Sequence, residues 1–253
     1  MRAPGALLAS LLLSIGVIPG APTAAHAAPA ARTVDVALVL VTDVSRSITD
    51  SEFSLEKNGY ATAITSPEVL SAIHHGANGA IAITYVEFSG ADQVGTVVGW
   101  EVVRDAASAK KFAADILSRP RSSYGRTAVG AGIDAAVQDI AESGFNAERR
   151  VIDVCGDGNS NDGMPLADAR AEALKAGITI NGLAIVHENP PPWLAPHVDP
   201  PGGIVKYYQD HVIAGPGSFV MNVRADQDFV AAMTRKFVLE IAGRRMQGAP
   251  HPL

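Results

Sequence analysis

Three oxygen-bearing side chains follow an apolar run near the start of the chain. Asp43, Ser45 and Ser47 form an Asp-x-Ser-x-Ser pattern directly after the run Val34–Thr42, which reads Val-Asp-Val-Ala-Leu-Val-Leu-Val-Thr. A near-continuous apolar run is typical of a strand buried on both faces, as in the middle of a parallel sheet. Hard cations such as Mg²⁺ take oxygen ligands. The stretch therefore indicates a turn at a strand end that offers oxygen ligands to a cation.

A helix start, rather than a hairpin turn, follows this pattern. Thr49 and Glu52 have the spacing of a capping box, and Ile48 and Phe53 have the spacing of a hydrophobic staple. The three polar side chains therefore lie between the carboxyl end of a strand and the beginning of the next helix. In open α/β sheets, this edge is where ligands bind.

Two later loops can complete a site at the same edge. The turn Gly125-Arg126-Thr127 precedes a predicted helix over 127–142, and Asp157 follows a predicted strand, Arg150–Cys155. The Asp-x-Ser-x-Ser pattern alone would recur by chance. Five residues in three loops, each at the right point of a strand–helix succession, form a much more specific signal.

The five residues Asp43, Ser45, Ser47, Thr127 and Asp157 resemble the metal-ion-dependent adhesion site of the von Willebrand factor type A domain. The order of the predicted strands and helices resembles that domain over essentially the whole predicted mature chain. The resemblance implies a Mg²⁺, Mn²⁺ or Ca²⁺ ion at these five residues, with the carboxylates often acting through water. It also implies a non-enzymatic, adhesion-type domain that binds a protein partner, and an acidic side chain of that partner completes the coordination.

The ligand chemistry is compatible with that resemblance. A cation held mostly by neutral hydroxyls keeps a net positive charge, which favours a charge-assisted contact with a carboxylate. Five oxygen ligands without His or Cys favour a hard cation over zinc. One departure is Gly156, which stands where the family usually has Thr before Asp157. Within the family, the chain resembles secreted bacterial proteins of uncharacterised function, through Gly156–Gly158, Gly215–Phe219 and Lys236–Gly243.

Strand-like and helix-like segments alternate along the rest of the chain. The predicted strands after the first are 79–88, 94–103, Arg150–Cys155, Ile178–Val186 and Ser218–Val223. The predicted helices begin at Thr49 and Ser66, cover Asp105–Leu117, 127–142, 165–176 and 204–212, and end with one that starts near Asp226. Alternation of this kind predicts an α/β, doubly wound, mostly parallel sheet with helices on both faces. The short spacer 89–92 suits a hairpin, which predicts one antiparallel edge strand.

The first 27 residues have the pattern of a signal peptide. Arg2 precedes the apolar stretch Ala6–Ile18, and Ala25-His26-Ala27 fits cleavage before Ala28. The predicted organisation is a signal peptide over 1–27, a domain over 28–243 and a flexible tail over 244–253. We therefore expect a secreted or periplasmic protein without a transmembrane segment after cleavage, because the apolar stretch is shorter than a spanning helix needs.

Composition excludes two classes of partner. The chain has 20 Lys and Arg against 26 Asp and Glu, for a net charge of −6, and no basic cluster interrupts that balance. Nucleic acids and anionic membrane surfaces are therefore poor partners. The single cysteine, Cys155, can form no intramolecular disulfide and is predicted to be a small buried hydrophobe.

An enzyme is the main alternative class, namely a Mg²⁺-dependent hydrolase or phosphotransferase with Asp43 as nucleophile. Such sites generally need a second carboxylate two residues further on, and position 45 is Ser. A serine nucleophile would need a Gly-x-Ser-x-Gly elbow, which the sequence lacks. Surface or helix-end roles are predicted for the scattered histidines of the mature chain: His74, His75, His187, His197, His211 and His251. A structural domain with a vestigial metal site is the second alternative.

Several of these residues have simpler interpretations. Thr127 could act as a helix N-cap, and Asp43 could cap the following turn. Gly130 and Gly132 superficially fit a dinucleotide fingerprint, but they lie inside a predicted helix, where close packing against the sheet explains them better. The long Pro-rich loop Glu188–Gly203 contains Trp193, and we expect it to border the metal and contact the partner. The alternative is a loop that only covers one edge of the sheet.

Overall fold

The structure is a computed structural model that describes residues 32–224 and 229–243. Its strands are β1 (Arg32–Asp43), β2 (Ile81–Phe88), β3 (Val94–Val103), β4 (Phe145–Gly156), β5 (Ile178–Val186) and β6 (Val220–Arg224). Its α-helices are α1 (Asp50–Ile64), α2 (Pro67–His74), α3 (Ala106–Ser118), α4 (Val129–Glu142), α5 (Leu166–Lys175), α6 (Ala195–Val198), α7 (Gly203–Tyr207) and α8 (Phe229–Ala242). A π-helical turn, Tyr208–Val212, follows α7. The predicted signal peptide, the predicted tail and the expected helix start at Asp226 lie outside the described residues.

The six strands form one sheet in the order β3-β2-β1-β4-β5-β6. All neighbouring pairs are parallel except β2 and β3, which form the predicted hairpin and leave β3 as an antiparallel edge strand. The predicted doubly wound fold is therefore confirmed. None of the helices over the described ranges is long and apolar enough to cross a membrane.

The central strand β1 is buried on both faces, as its apolar run predicts. Val36, Leu38 and Leu40 belong to one hydrophobic core, together with buried side chains of α1, α2, α3 and α8. Val39 and Val41 belong to a second core on the opposite face, with side chains of α4 and α5. Alternate residues of one strand thus join two helical layers to the sheet.

The parallel strands end together at one edge of the sheet. Asp43 at the end of β1 is paired with Phe88 at the end of β2, and Thr42 is paired with Cys155 near the end of β4. The connection over residues 119–128 joins α3 on one face to α4 on the other and reaches this edge, where Ala128 N donates to Ser89 O (2.7 Å). The edge therefore gathers the loops that carry the candidate ligands.

The structure corrects several predicted boundaries. β4 begins at Phe145, not Arg150, because its polar first half pairs with the exposed start of β1. α4 begins at Val129, and no side chain caps it, so Thr127 is not its N-cap. The Pro-rich loop contains the short helix α6, and the predicted helix over 204–212 divides into α7 and the π-helical turn.

Close packing explains the glycines of α4. A Cβ on Gly132 would lie 2.9 Å from side-chain carbons of Phe88 and Val41 in the sheet. A Cβ on Gly130 would lie 2.1 Å from the carbonyl oxygen of Met164, ahead of α5. The packing interpretation is confirmed, against the sheet for Gly132 and against the neighbouring loop for Gly130.

A buried ion cluster lies between α8 and β4. It consists of Lys236, Asp153 and Glu240, all essentially inaccessible to solvent. Lys236 Nζ lies 2.6 Å from Asp153 Oδ1 and 2.6 Å from Glu240 Oε1. Burial, together with the charge of Glu240, raises the pKa of Asp153 to about 7. One lysine ammonium thus forms ion pairs with two carboxylates that are buried away from solvent.

Candidate metal centre

The Asp-x-Ser-x-Ser loop is organised by its own backbone before any ion is considered. Ser45 N donates to Asp43 Oδ1 (2.7 Å), and Ile48 N donates to Ser45 O (3.1 Å). Thr49 then begins α1 with the predicted capping box. Glu52 N donates to the Thr49 hydroxyl, and Thr49 N donates to the Glu52 carboxylate. These local bonds turn the chain sharply between strand and helix, so the polar side chains converge instead of alternating.

Arg121 holds this loop from the neighbouring connection. Its guanidinium donates to the carbonyl oxygens of Val44 (2.8 Å) and Ile48 (2.9 Å), and also to that of Ser45. The guanidinium stacks on the ring of Tyr124, 4.0 Å from its centroid. A charge that satisfies several carbonyl groups of one turn fixes the turn's shape, so Arg121 acts as a positioning residue for the loop.

Backbone hydrogen bonds join the other loops to this turn. Arg46 N donates to Gly125 O (3.2 Å), and Asn161 N donates to Thr127 O (2.8 Å). Position 125 favours glycine, because a Cβ there would lie 2.5 Å from the backbone nitrogen of Gly90. The Thr127 turn is thereby held between the Asp-x-Ser-x-Ser loop and the loop after β4.

The structure brings the predicted ligands together. Ser45 Oγ and Ser47 Oγ are 3.0 Å apart, and Ser47 Oγ donates to Asp157 Oδ1 (2.7 Å). Thr127 joins the same edge through the backbone contacts described above. All five side chains are buried, and Ser47, the most accessible, is only 9% exposed. Ser45, Ser47 and Asp157 thus form a hydrogen-bonded chain that Asp43 joins at Ser45 N, and all five side chains are shielded from solvent.

The Asp43 carboxylate is the poorly compensated group of the centre. Burial, and next the charge of Asp157, raise the pKa of Asp43 to about 8. Asp43 Oδ2 is buried and has no hydrogen-bond partner among the described residues. An orphaned carboxylate oxygen beside a second carboxylate and three hydroxyls is the donor set that a hard divalent cation would satisfy. The residues present therefore fit a metal ion.

Tyr208 explains why Gly156 departs from the family pattern. A Cβ on Gly156 would lie 2.8 Å from Tyr208 Oη, 2.8 Å from Asp43 Cβ and 3.1 Å from Asp43 Oδ2. The π-helical turn carries the Tyr208 hydroxyl to this point, where it is buried without a hydrogen-bond partner among the described residues. π-helical turns are frequent at functional sites. A tyrosine hydroxyl from a distant segment therefore occupies the space in which a threonine side chain would lie.

Two histidines border the centre. The expectation of a surface or helix-end role is wrong for His187, whereas His197 does lie in the last turn of a helix, α6. His187 follows β5, and its Nε2 lies 2.9 Å from Asp157 Oδ2, while its Nδ1 lies 3.6 Å from Glu52 Oε1. The hydrogen bond to Asp157 raises the pKa of His187. With Ser47 on the other oxygen, both oxygens of Asp157 have partners, and the carboxylate is held in one orientation.

His197 lies on α6, inside the Pro-rich loop. Its Nε2 is 3.1 Å from Thr127 Oγ1, and its Nδ1 is 2.6 Å from Asn159 Oδ1. Burial lowers the pKa of His197, which favours the neutral ring. The loop therefore borders the centre, as its length and its place after β5 predict. The sequence offered one usable signal, a long loop leaving the carboxyl end of a parallel strand, but nothing in it identified the histidines.

Other sites in the described chain are less suitable. A cavity of about 960 Å³ lies beside β6 and α8, lined by Arg149, Asn181 and Arg235 among others, and contains none of the candidate ligands. Among the described residues, no group of three or more His, Cys, Asp and Glu side chains could hold a metal ion. The candidate centre therefore depends on its serine and threonine hydroxyls.

Comparisons with known proteins give a family and a fold. A family model described as "Protein of unknown function (DUF1194)" matches residues 33–245. No curated protein matches the chain.

Several solved structures share the fold. Proximal thread matrix protein 1 (PTMP1) from the mussel byssus has a TM-score of 0.61 and 17% identity, over 84% of this chain and 49% of that one. A further PTMP1 structure, described as having a zinc-occupied MIDAS motif, has a TM-score of 0.59 and 19% identity, with coverage of 84% and 49%. The von Willebrand factor type A structure from Catenulispora acidiphila has a TM-score of 0.52 and 16% identity, with coverage of 83% and 42%.

These similarities establish a von Willebrand factor type A fold, as the sequence resemblance predicts. At such identities they show the fold alone. The chain also spans only about half the length of PTMP1.

Proposed function

The chain belongs to the DUF1194 family and has the von Willebrand factor type A fold, and from this premise we propose that it is a secreted, metal-dependent protein-binding domain. The observation that carries the proposal is the buried group of three hydroxyls and two carboxylates in which Asp43 Oδ2 lacks a partner among the described residues. A structure that buries such an oxygen pays several kcal/mol unless something compensates it. A divalent cation provides that compensation.

Each ligand has a defined role in this proposal. Ser45, Ser47 and Thr127 supply neutral oxygens, and Asp43 and Asp157 act directly or through water. A bound Mg²⁺, Mn²⁺ or Ca²⁺ supplies positive charge with an incomplete set of protein ligands. An acidic side chain of a protein partner completes the coordination, since a carboxylate is the group that such a charge attracts most strongly.

Exposed aromatic side chains around the centre suit a protein partner. Trp193 in the Pro-rich loop is 79% exposed, and Tyr124, which stacks on Arg121, is 53% exposed. Large aromatic side chains are enriched among the residues that contribute most to protein–protein binding. The Pro-rich loop and the 119–128 connection would then provide contact area at the rim of the centre, and the metal would provide specificity.

We propose a binding domain and not an enzyme. Position 45, where such an enzyme would carry a second carboxylate, holds a serine whose hydroxyl lies 3.0 Å from Ser47 Oγ. Asp43 therefore has no carboxylate two residues away to serve as acid or base. The fold-sharing PTMP1 and the pilus adhesin SpaC from Lactobacillus rhamnosus GG are described as a matrix protein and an adhesin. Those descriptions agree with a binding role here without deciding it.

Thermal-shift titration tests the proposal. Mg²⁺ or Mn²⁺ binding to the native state is expected to stabilise the wild type by about 2.7 kcal/mol at a concentration 100-fold above the dissociation constant. Asp43→Ala is expected to abolish the shift, whereas Asp92→Ala, which removes an exposed carboxylate from the hairpin turn, should keep it. An equal shift in wild type and Asp43→Ala would refute the metal assignment. Phosphate or ester hydrolysis that disappears in Asp43→Ala would favour an enzyme instead.

A further inference from the structure

A large cavity lies in a part of the domain that the candidate metal centre does not use. Its volume is about 960 Å³, and it is bounded by α8 and by the sheet near the starts of β5 and β6. None of the five candidate metal ligands lines it. Binding sites for small molecules have volumes of about 300–1,000 Å³. The size of the cavity is therefore that of a small-molecule site.

A tight turn ahead of β6 forms one wall of the cavity. Residues 216–219 line it, and Gly215 and Gly217 have positive φ angles of 94° and 75°. Glycine adopts such angles without strain, so the turn can fold back sharply towards β5. Phe219 N then donates to Asn181 Oδ1 (3.2 Å). The wall is thus held against the sheet by a side chain that itself lines the cavity.

Two buried polar side chains of the lining already have partners within the protein. Asn181 and Glu240 are at most 3% exposed. Asn181 Nδ2 donates to Glu240 Oε1 (3.0 Å), and Lys236 Nζ lies 2.6 Å from the same oxygen. The charge of Glu240 is therefore paired, and the Asn181 side chain is fixed at both its oxygen and its nitrogen.

Two guanidinium groups of the lining have no carboxylate partner within the described chain. Arg149 Nη2 donates to the carbonyl oxygens of Glu240 and Ile241 (both 2.7 Å), which leaves Nε and Nη1 without hydrogen-bond partners among the described residues. Arg235 is exposed on α8 and has no hydrogen bond or ion pair there. Burial lowers the pKa of Arg149, because the charged form has lost part of its hydration. An anion in the cavity would compensate that loss.

The charges around the cavity favour a ligand with one negative charge. Arg149, Arg150 and Arg235 line it, against the exposed carboxylate of Glu148 and the paired carboxylate of Glu240. Three guanidinium groups and two carboxylates leave a single positive charge, in a chain whose net charge is −6. The planar guanidinium matches a carboxylate or a phosphate through two parallel hydrogen bonds. A carboxylate balances the lining more closely than a phosphate monoester, which carries nearly two charges.

Apolar side chains provide a surface for the rest of such a ligand. Phe219, Met221 and Leu239 line the cavity and are half-buried. Val151, which is buried in the core beneath α8, completes this surface. Apolar area that leaves water stabilises a complex by roughly 25 cal/mol per Å². An anion with an apolar body would therefore bind more tightly than a fully hydrophilic one.

We propose that this cavity binds a small organic carboxylate with an apolar body. Arg149 and Arg235 hold the carboxylate, and the apolar body lies against Phe219, Met221 and Leu239. None of these residues belongs to the candidate metal centre, so the inference goes beyond the proposed function and does not depend on it. The domain thus has a second site, for a ligand that does not coordinate the metal.

Calorimetric titration of the purified protein with 2-naphthoate tests the inference, with the uncharged 2-naphthamide as the matched ligand. The wild type is expected to bind one naphthoate, at least about tenfold more tightly than the amide, because charge-assisted hydrogen bonds are about twice as strong as neutral ones. Arg235→Ala should lower the naphthoate affinity by at least about tenfold and change the amide affinity less. The fold should persist, since the position is exposed and alanine favours a helix.

Two control variants separate the contributions. Arg104→Ala removes an exposed guanidinium outside the cavity, after β3, and should leave both affinities unchanged. Leu239→Ala shortens the apolar surface and should weaken naphthoate and naphthamide alike. Asp43→Ala should keep naphthoate binding, so that failure of this site and failure of the metal centre are measured separately.

Three results would overturn the inference. They are equal naphthoate affinities in the wild type and Arg235→Ala, equal affinities of the wild type for naphthoate and naphthamide, and binding that appears only after residues 244–253 are removed. The last would mean that the chain's own end competes for the cavity. Laurate distinguishes two sources of the carboxylate: competition with naphthoate would support a fatty acid as ligand, and binding of naphthoate without competition would support a compact acid.

Discussion

Replacing Glu56 by glutamine removes one buried carboxylate while keeping the size of the side chain. Glu56 lies on α1 and is inaccessible to solvent. Its Oε1 accepts a long hydrogen bond from the Tyr60 hydroxyl (3.4 Å), and its Oε2 has no partner among the described residues. The side chain therefore enters the interior with little compensation for an ionised carboxylate, and the neutral acid is the form that the fold favours.

The size of the effect follows from the pKa. Burial raises the pKa of Glu56 from 4.5 to about 8, against a smaller lowering by the Cys155 thiol. A rise of about 3.5 units corresponds to roughly 5 kcal/mol. Because the folded-state pKa is above the unfolded one, this contribution to stability is fully present below pH 4.5. It is lost as the pH rises towards and through about 8.

Urea denaturation in the presence of a chelator, repeated between pH 4 and pH 9, measures this loss. The wild type and Glu56→Gln are expected to have similar free energies of unfolding at low pH. Towards pH 9 the variant should become the more stable protein, by up to about 5 kcal/mol. The control is Glu68→Gln, which changes an exposed carboxylate on α2 and should follow the wild type at every pH. Parallel curves for wild type and Glu56→Gln would refute the reasoning, since they would mean that Glu56 is ionised at no cost.

Two further substitutions test the buried ion cluster and the close packing of Gly156. Lys236→Met leaves the carboxylates of the buried ion cluster without a cation and should lower the free energy of unfolding by about 3–5 kcal/mol. The exposed control Lys175→Met should change it by less than about 0.5 kcal/mol. Similar losses for the two variants in urea denaturation would contradict the role of the cluster. Gly156→Thr places a side chain against Asp43 and Tyr208 and should cost about 1–3 kcal/mol. Combining it with Tyr208→Phe, which removes the competing hydroxyl, should recover part of that loss in the same assay, and no recovery would exclude the hydroxyl as the cause.

Local patterns predicted the parts of the fold that local forces decide. The apolar run of β1, the Thr49 capping box and the strand Ile178–Val186 are found where the sequence places them. The hairpin between β2 and β3 is also correct, because a short polar spacer leaves few other connections. The start of β4 was missed, since exposed residues that alternate along its first half carry no apolar signal.

The surroundings of the candidate centre depend on contacts between distant segments. His197 contacts Thr127, which is 70 positions away in the sequence, and Arg121 reaches Val44 across 77 positions. No periodicity in the sequence encodes such pairs, because they arise only when the loops meet at one sheet edge. The five residues predicted as ligands could be proposed from the sequence because the loops that carry them follow a strand or precede a helix. His187 also directly follows a strand, β5, but no polar pattern accompanies it, and His197 lies inside the Pro-rich loop.

The central position of β1 also determines how the domain responds to mechanical load. β1 pairs in parallel with β4 over nearly its whole length and with β2 from Val36 to Asp43. Tension that acts along β1 loads both ladders of hydrogen bonds in shear, so that many bonds must break at once before the strand slides. Forced unfolding is governed by the height of the unfolding barrier, and this arrangement raises that barrier. The strand that ends in the Asp-x-Ser-x-Ser loop is therefore also the element best placed to withstand pulling.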